Sequence, residues 1–397
     1  MSAESTTQTT ELTSWIDGNL SNVTNVSAPD GCITLQLRPF EFNPWDNPDN
    51  LMSHEVEHLF DVIVAVGFLY VLFLVSAPTN VISMIAFYKQ GIKERINLCL
   101  FLQSFADLVY MTFNFLLYSD RLYLEIRNGP SRSFMTAMML NNYLACLYSF
   151  SWASGFMTVV IASERCFCVV SPFRSQRILR TRTMGLIIVA AFVVIFGGFF
   201  VVGARWTIAC IFSPLTQSTS YEIYPRQWYL QHKQIIDTLD GVYGLILPCT
   251  FVFVVTVTTT ATVVKITKMT SWREKTSSAN VAAREIALTR MLIGTSSLYV
   301  VCSVSHVVTR ILILCLPDFS IGGRYSNTFN FMSSVNELFT YINSSVNFFI
   351  YYSMGSKYKE TVRRMFGRSS EHNDISVISR STIIRKTGTD CLSNQMP

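Results

Sequence analysis

The sequence carries little charge for its length. Charged residues make up only 14% of its 397 residues, whereas hydrophobic residues make up 50%. A soluble globular domain carries about 25% charged residues, so this scarcity argues against a soluble protein and indicates a chain that lies in a membrane. Residues 1–20 also lack a basic start followed by an apolar run, and we therefore expect no cleavable signal peptide.

Metal-binding and catalytic patterns are missing as well. The ten cysteines show no spacing typical of a zinc site or of a dense disulfide framework. The apolar segments contain no paired His and Asp ligands for a metal, and no nucleophile with a base placed beside it. These absences argue against an enzyme.

Seven apolar stretches are long enough to cross a bilayer, which takes about 20 residues of helix. A helix is needed there because it satisfies every backbone amide and carbonyl within the segment. We therefore predict an all-α membrane protein, a seven-transmembrane-helix bundle with a short amphipathic juxtamembrane helix. The predicted spans are 59–87, 96–118, 137–170, 184–206, 235–266, 286–316 and 329–352.

The charges beside these spans predict the orientation of the chain. Residues 1–58 contain nine carboxylates and a single Lys or Arg, Arg38. The connections after the first, third and fifth spans are instead basic, and the positive-inside rule places such loops in the cytoplasm. We expect a multi-pass protein of the plasma membrane with an extracellular N-terminus and a cytoplasmic C-terminus.

The same boundaries divide the chain into four parts. The predicted parts are an extracellular disordered tail (1–58), the seven-helix bundle (59–354), the juxtamembrane helix (355–367) and a cytoplasmic tail (368–397). The first tail is rich in Ser, Thr and Asn, which is typical of disorder. Its three sequons, at Asn19, Asn22 and Asn25, predict glycosylation, although such triplets also arise by chance in tails of this composition.

Several polar residues fall inside the predicted spans, where a central Asp costs about 2.5–3.5 kcal/mol. Asp107 lies midway along the second span. The seventh span carries Asn336, Asn343 and Asn347 at intervals of seven and four, which place them on one face of a helix. Together with Asn80 of the first span and Ser154 of the third they predict a buried polar cluster that holds a monovalent cation or a proton. The alternative is that they only join helices.

From about residue 60 to residue 367 the sequence resembles the rhodopsin-like (class A) G-protein-coupled receptors. The matching motifs are Asn80, Asp107 in Phe-Ala-Asp-Leu, Glu164-Arg165-Cys166, Pro248 and Asn343-Ser-Ser-Val-Asn347-Phe-Phe-Ile-Tyr351-Tyr. The resemblance implies a receptor, not an enzyme, that converts binding of an extracellular ligand into activation of a heterotrimeric G protein. A seven-helix transporter or ion channel is the alternative, but the sequence shows no inverted repeat.

Some family features are absent. The seventh span has Asn347-Phe where the family has Asn-Pro, and the sixth has Cys302-Ser-Val-Ser305 where the family has Cys-Trp-x-Pro. Leu140 stands in place of the outer cysteine of the third helix. These departures make the sequence similar to divergent invertebrate neuropeptide-type or chemosensory receptors.

The missing outer cysteine leaves one disulfide open. Cys210, in the second external loop, has Cys146, Cys32 and Cys315 as possible partners, or remains a free thiol. The sequence does not choose among them.

The resemblance implies a switch at the cytoplasmic face. Glu164 would hold Arg165 at rest, and Glu285 of the sixth helix would bridge to the same arginine. Opening these contacts would let the sixth helix swing outward and admit the G protein. The alternative is that Glu164 and Arg165 only anchor the end of the third helix at the membrane interface. The implied switch residues are Glu164, Arg165, Phe173, Glu285, Asn347 and Tyr351.

The resemblance also implies an ion site, a ligand pocket and a set of partners. Sodium is the one bound ion expected, and its implied ligands are Asp107, Ser154, Asn343 and Asn347. The expected ligand-pocket residues are Asp240, His306, Arg310 and Glu337. Carboxylates in this pocket would attract a cationic group such as an amidated basic peptide end, unless they reach the interface or pair with Arg310.

The expected partners lie on both sides of the membrane and within it. They are an extracellular peptide or small-molecule ligand, a heterotrimeric G protein and membrane lipid, with no nucleic acid. Serine and threonine residues among basic residues after 368 would bind an arrestin once phosphorylated. A solvated flexible tail is the alternative for that segment.

Overall fold

A computed structural model of the chain describes residues 33–34, 50–127, 134–171, 174–175, 180–204, 206–213, 218–273, 279–316, 318–319 and 323–367. Seven long helices follow one another in this part of the chain. They are α1 (His54–Gly91), α2 (Arg95–Arg127), α3 (Phe134–Val170), α4 (Thr181–Gly203), α5 (continuous from Lys233 to Arg273), α6 (Ala279–Cys315) and α7 (Ser326–Met354). A short helix, α8 (Ser356–Met365), follows α7. The predicted fold class, a helical bundle of the seven-transmembrane type, is confirmed.

The first six of these helices are long and apolar enough to cross a membrane. The seventh, α7, is 29 residues long, which at about 1.5 Å per residue also exceeds the thickness of the hydrocarbon core. It buries many polar side chains, among them Asn336, Asn343 and Asn347. The seventh helix therefore supplies polar groups to the interior of the bundle.

The helix ends differ from the predicted spans in two ways. Several helices extend past their apolar runs, most clearly α2, which continues to Arg127. The fourth span, predicted as 184–206, was wrong at its end, because α4 stops at Gly203 and Trp206 begins a strand. The residues after Trp206 are apolar and β-branched, so hydropathy alone did not distinguish strand from helix.

Three strands form a small sheet that the all-helical prediction did not include. Strands β2 (Trp206–Ser213) and β3 (Ser218–Pro225) connect α4 to the segment before α5 and pair in antiparallel fashion. Strand β1 (Ile33–Thr34) pairs with β2 in parallel, with Ile33 opposite Ile211. This sheet lies at the end of the bundle opposite α8, and we refer to the two ends as the sheet end and the α8 end.

The helices close into a ring around α3. Helix α3 contacts α2, α4, α5 and α6, and α7 closes the ring by packing on both α6 and α1. Local irregularities occur in two of these helices, beginning with a π-helical stretch at Ile63–Phe68 in α1. A π-helical turn at Val242–Ile246 precedes Pro248 in α5, and Gly91, with φ of 100°, ends α1 in the left-handed conformation that glycine tolerates.

Aromatic side chains join α7 to α8. The rings of Tyr351 and Tyr358 lie 5.6 Å apart, and both pack against Phe87 of α1. The Tyr358 hydroxyl is 2.8 Å from that of Ser83, and burial raises the pKa of Tyr358 above its usual range. This contact keeps α8 against α1 at the α8 end.

Candidate functional site

Asp107 is a buried carboxylate at the centre of the bundle. It lies midway along α2 and is 1% exposed. Its Oδ1 accepts hydrogen bonds from the hydroxyls of Ser154 in α3, at 2.6 Å, and Ser344 in α7, at 3.0 Å. Its Oδ2 accepts a third from the Nδ2 of Asn347 at 3.1 Å. One carboxylate thus joins three helices.

Small neighbours allow the helices to come this close. Ala106 and Ala153, each next to one of the hydrogen-bonding residues in sequence, are buried to 1% and 0% exposure. Alanine and serine at helix contacts let backbones approach, which is the usual way membrane helices associate. Short buried side chains beside Asp107 and Ser154 are consistent with this close approach of the helices.

The polar cluster continues into α1. The Nδ2 of Asn80 donates to the backbone carbonyl of Ser344 at 3.1 Å and to that of Ser76 at 3.0 Å. The carboxamide oxygen of Asn347 is buried and accepts no hydrogen bond from the residues that the structure describes. The cluster therefore contains an acceptor oxygen with spare capacity on the side chain that already donates to Asp107.

A second polar contact links α7 to α2 nearer the α8 end. The Tyr351 hydroxyl donates to Oε1 of Gln103 at 3.4 Å, and Nε2 of Gln103 donates to Thr158 of α3 at 3.0 Å. Tyr351 is 1% exposed. The Tyr351 hydroxyl, which the resemblance assigns to the switch, thus links α7 to α2.

A small cavity of about 50 Å³ lies beside the Asp107 cluster, between α3, α5, α6 and α7. Its lining combines hydroxyls, an amide, an imidazole and aromatic rings. The lining residues are Ser151, Trp152, Ser154, Gly155, Pro248, Tyr299, Cys302, Ser303, His306, Thr340, Asn343 and Ser344. Ser303 and the neighbouring Ser305 stand where the family has an aromatic ring and a proline, and Trp152 of α3 lies 6.5 Å from the His306 ring.

The structure separates the four predicted ligand-pocket residues. His306 lines the cavity, and its Nε2 is 2.9 Å from the Thr340 hydroxyl. Arg310, about one turn further towards the sheet end, lies against the backbone of Gly244 in α5. Glu337 accepts a hydrogen bond from the Tyr341 hydroxyl at 3.2 Å, and Asp240 is half-buried in α5. Of the four, the cavity brings in His306 alone.

An ion-pair network lies at the α8 end of α3. The side chain of Glu164 is 1% exposed, and its Oε2 accepts a hydrogen bond from Nε of Arg165 at 2.6 Å. Its Oε1 accepts another, also at 2.6 Å, from Nε of Arg95 at the start of α2. The pairing of Glu164 with Arg165 expected from the resemblance is present, and a second arginine shares the carboxylate.

Other predicted residues cannot be placed in the site. Phe173 and the sequon residues Asn19, Asn22 and Asn25 lie outside the described residues. Glu285 belongs to α6 and Cys210 to β2, but their side chains also lie outside the described part. Among the three possible partners of Cys210, Cys315 is an exposed free thiol.

Sequence reasoning missed two residues of these networks. Ser344 donates to Asp107 where Asn343 was expected, although Asn343 is buried nearby and lines the cavity. Arg95 was counted only as a basic loop residue. A signal was present for Arg95, because an arginine at the first position of a helix opposes the helix dipole and a nearby anion relieves this unfavourable charge.

Comparison with known proteins agrees with this geometry. No curated protein matches the chain. Residues 70–369, well over half of the chain, match the family described as the serpentine type 7TM GPCR chemoreceptor Srw. The match confirms the resemblance to G-protein-coupled receptors of the invertebrate chemosensory type, which is a class of receptors and not of enzymes. The chain therefore belongs to the Srw family of serpentine seven-transmembrane G-protein-coupled chemoreceptors.

Proposed function

We propose that this receptor lies in the plasma membrane and activates a heterotrimeric G protein when a chemical cue binds from outside. The observation that carries the proposal is the buried pair of Glu164 and Arg165 at the α8 end of α3, joined at 2.6 Å. A buried arginine held by a neighbouring carboxylate is a group that can be released. In this proposal the sheet end faces outward and the α8 end faces the cytoplasm.

The proposed mechanism is a two-state equilibrium. At rest Glu164 holds Arg165. The cytoplasmic half of α6 also packs on α7 and on the start of α8. In these contacts Gly294 lies near Ile350, and Met291 lies near Gly355. A ligand favours the open state only by its difference in affinity for the two states. Outward movement of α6 would separate these contacts and expose Arg165 to the G protein.

Nucleotide exchange tests this function directly. Cells that express the chain are exposed to a panel of amidated peptides and water-borne odorants, and binding of a non-hydrolysable GTP analogue is measured for each class of Gα subunit. The Arg165→Ala variant should abolish the response at equal surface expression, whereas Arg180→Ala, an exposed arginine at the start of α4, should retain it. Substrate flux or ion current without nucleotide exchange would instead indicate a transporter or channel.

Glu285 offers a separate test of the cytoplasmic latch. If its carboxylate also holds Arg165 at rest, Glu285→Ala should raise basal nucleotide exchange. Basal exchange equal to that of the unmodified receptor would reject a latch through α6.

The cue itself is proposed to carry a cationic group. Glu337 supplies a carboxylate in the sheet-end half of α7, where it accepts a hydrogen bond from the hydroxyl of Tyr341 at 3.2 Å. Asp240 supplies another on α5. A cation that reaches either would form a charge-assisted hydrogen bond. Glu337→Gln should therefore weaken agonist potency, and unchanged potency would reject a cationic cue recognised by this residue.

Sodium is proposed to bind at the Asp107 cluster. The carboxylate of Asp107, the hydroxyls of Ser154 and Ser344 and the unpartnered oxygen of Asn347 are the hard oxygen ligands that a small cation prefers. Asn343, buried on the same helix, is the further candidate. Agonist affinity should differ between sodium chloride and the chloride of a bulky organic cation, and equal affinities would reject the site.

The disulfide of Cys210 is proposed to involve Cys32. Strand β1 begins one residue after Cys32, and it pairs with Ile211 and Phe212, the two residues that follow Cys210. Neighbouring strands lie about 4.8 Å apart, within the Cα spacing of disulfides. Peptide mapping without reduction should recover residues 32 and 210 in one cross-linked peptide. Recovery of Cys210 with Cys146, or as a free thiol, would reject this pairing.

The remaining expectations concern the two tails. Asn19, Asn22 and Asn25 should carry glycans, and phosphorylation after residue 368 should recruit an arrestin. Tags placed at the two termini should be labelled on opposite faces of intact cells. Labelling on the same face would reject the orientation and the receptor mechanism with it.

A further inference from the structure

Arg95 occupies a position that is unfavourable for a cation. It is the first residue of α2, and no acidic residue lies in the first turn of that helix. The positive end of the helix dipole disfavours a cation there by about 0.3–1 kcal/mol. The preceding residue, Glu94, directs its carboxylate to Lys357 at 3.3 Å and to Asn97 at 3.0 Å. Arg95 is therefore held by groups from other parts of the chain.

The guanidinium of Arg95 reaches across to α3 and to the turn after it. Its Nε donates to Oε1 of Glu164 at 2.6 Å. Its Nη2 donates to the sulfur of Cys168 at 3.2 Å, and its Nη1 donates to the carbonyl of Ser175 at 3.4 Å. Three donors of one rigid fork thus contact α3 and the segment that follows it, a geometry that the single ammonium of a lysine does not reproduce.

The two oxygens of Glu164 are divided between two arginines. Oε1 receives Arg95 and the Cys168 thiol, the latter at 3.3 Å, while Oε2 receives Arg165. Fixing Oε1 from α2 sets the rotation of the carboxylate, and this rotation directs Oε2 towards Arg165. The second cation also offsets the cost of keeping the Glu164 charge in a position with 1% side-chain exposure.

From this geometry we infer that Arg95 is a positioning residue, which holds Glu164 in the orientation that retains Arg165 and thereby sets the basal activity of the receptor. The inference rests on the proposed function. It assigns the resting contact to α2 and α3, two helices that pack closely on each other. Both arginine contacts of Glu164 are made between residues of α2 and α3.

Basal nucleotide exchange per receptor at the cell surface tests the inference without a known ligand. Arg95→Ala should raise it about tenfold, since a hydrogen bond to a charged group contributes roughly the 1.4 kcal/mol that corresponds to this factor. Arg95→Lys, which keeps the charge but not the fork, should give an intermediate value. Arg180→Ala removes an exposed arginine at the same end of the bundle, the α8 end, and should leave basal exchange unchanged.

A double variant distinguishes positioning from general loosening of the bundle. If Arg95 acts through Glu164, then Arg95→Ala combined with Glu164→Gln should give no more basal exchange than Glu164→Gln alone. A further increase would show that Arg95 acts elsewhere and would overturn the inference. If Arg95→Ala does not reach the surface, Arg95→Gln, which is neutral but retains a donor, is measured in the same way.

The remaining outcomes separate this inference from the proposed function. Basal exchange that stays at the wild-type level in the Arg95 variants, while Glu164→Gln raises it, would overturn the positioning role and leave the receptor function intact. If the Arg165, Glu164 and Arg95 variants all leave exchange unchanged on every class of Gα subunit, the proposed function itself fails.

Discussion

Two buried carboxylates of the bundle, Asp107 and Glu164, are surrounded in opposite ways. Asp107 and Glu164 are 1% and 2% exposed, and each joins neighbouring helices. Asp107 accepts hydrogen bonds from neutral groups, namely two serine hydroxyls and an asparagine amide. Glu164 accepts from two arginines.

This difference separates two uses of a buried charge. An ionised carboxylate in a membrane interior is costly without a nearby cation. The charge of Glu164 is balanced by two arginines of the protein itself. The ion pair with Arg165 is therefore a contact that activation can break. The described partners of Asp107 carry no positive charge, so its environment favours a cation or a proton from outside the chain. For this reason the Glu164–Arg165 pair is proposed as a resting-state contact, and the Asp107 cluster is proposed as an ion site.

Removing the Glu164 carboxylate should have the largest effect on stability. Glu164→Leu leaves two partly buried arginines without this acceptor, and breaking a buried ion pair from one side costs about 3 kcal/mol or more. The solubilised receptor should therefore melt at a clearly lower temperature. A Glu164→Leu variant as stable as the unmodified chain would contradict a stabilising role for the two arginine contacts of Glu164.

Loss of a neutral donor to Asp107 should have a smaller effect. Ser344→Ala removes the 3.0 Å hydrogen bond to Oδ1, which is expected to cost about 1 kcal/mol. Ser353→Ala on the same helix, an exposed position whose hydroxyl donates to the carbonyl of Ile350 within one turn, is the matched control and should be near neutral. Equal melting temperatures for the two variants would show that the neutral partners of Asp107 contribute little.

Neutralising Asp107 should have the smallest effect on the stability of the receptor. It should also abolish the stabilisation of the receptor by sodium. Asp107→Asn retains an oxygen for both serines, and rotation of the Asn347 amide would present its unpartnered oxygen to the new amide. We expect a loss of about 1 kcal/mol or less in sodium-free buffer. Sodium should raise the melting temperature of the unmodified receptor but not of Asp107→Asn, and an equal rise in both would remove the contrast with Glu164.

Much of the fold could be predicted because a bilayer imposes simple rules. A segment that crosses it must be helical and apolar, so helix number and approximate position follow from hydropathy. The sheet of β1, β2 and β3 could not be predicted in this way, because β1 lies far from β2 in sequence and the apolar residues of the β2–β3 hairpin suit a helix as well as a strand. For the same reason α4 was extended to Trp206, whose apolar neighbours suit a strand as well as a helix.

The candidate site was predictable only in part. Asp107, Ser154 and Asn347 were expected together, and the structure joins them directly. Ser344 was missed because a serine beside Asn343 gives no pattern of its own, and only the rotation of α7 decides which of the two faces the carboxylate. Arg95 was missed because its charge had a sufficient explanation in membrane orientation.

The amino-acid sequence by itself determined the class of this protein, since periodic apolar runs and charged loops depend on residue order and on the bilayer alone. The partners of each buried charge were decided only by the tertiary structure. Arg95 and Glu164 are 69 residues apart, and Asp107 and Asn347 are 240 apart. Such pairs depend on how helices rotate and pack, because a hydrogen bond tolerates only a few tenths of an ångström.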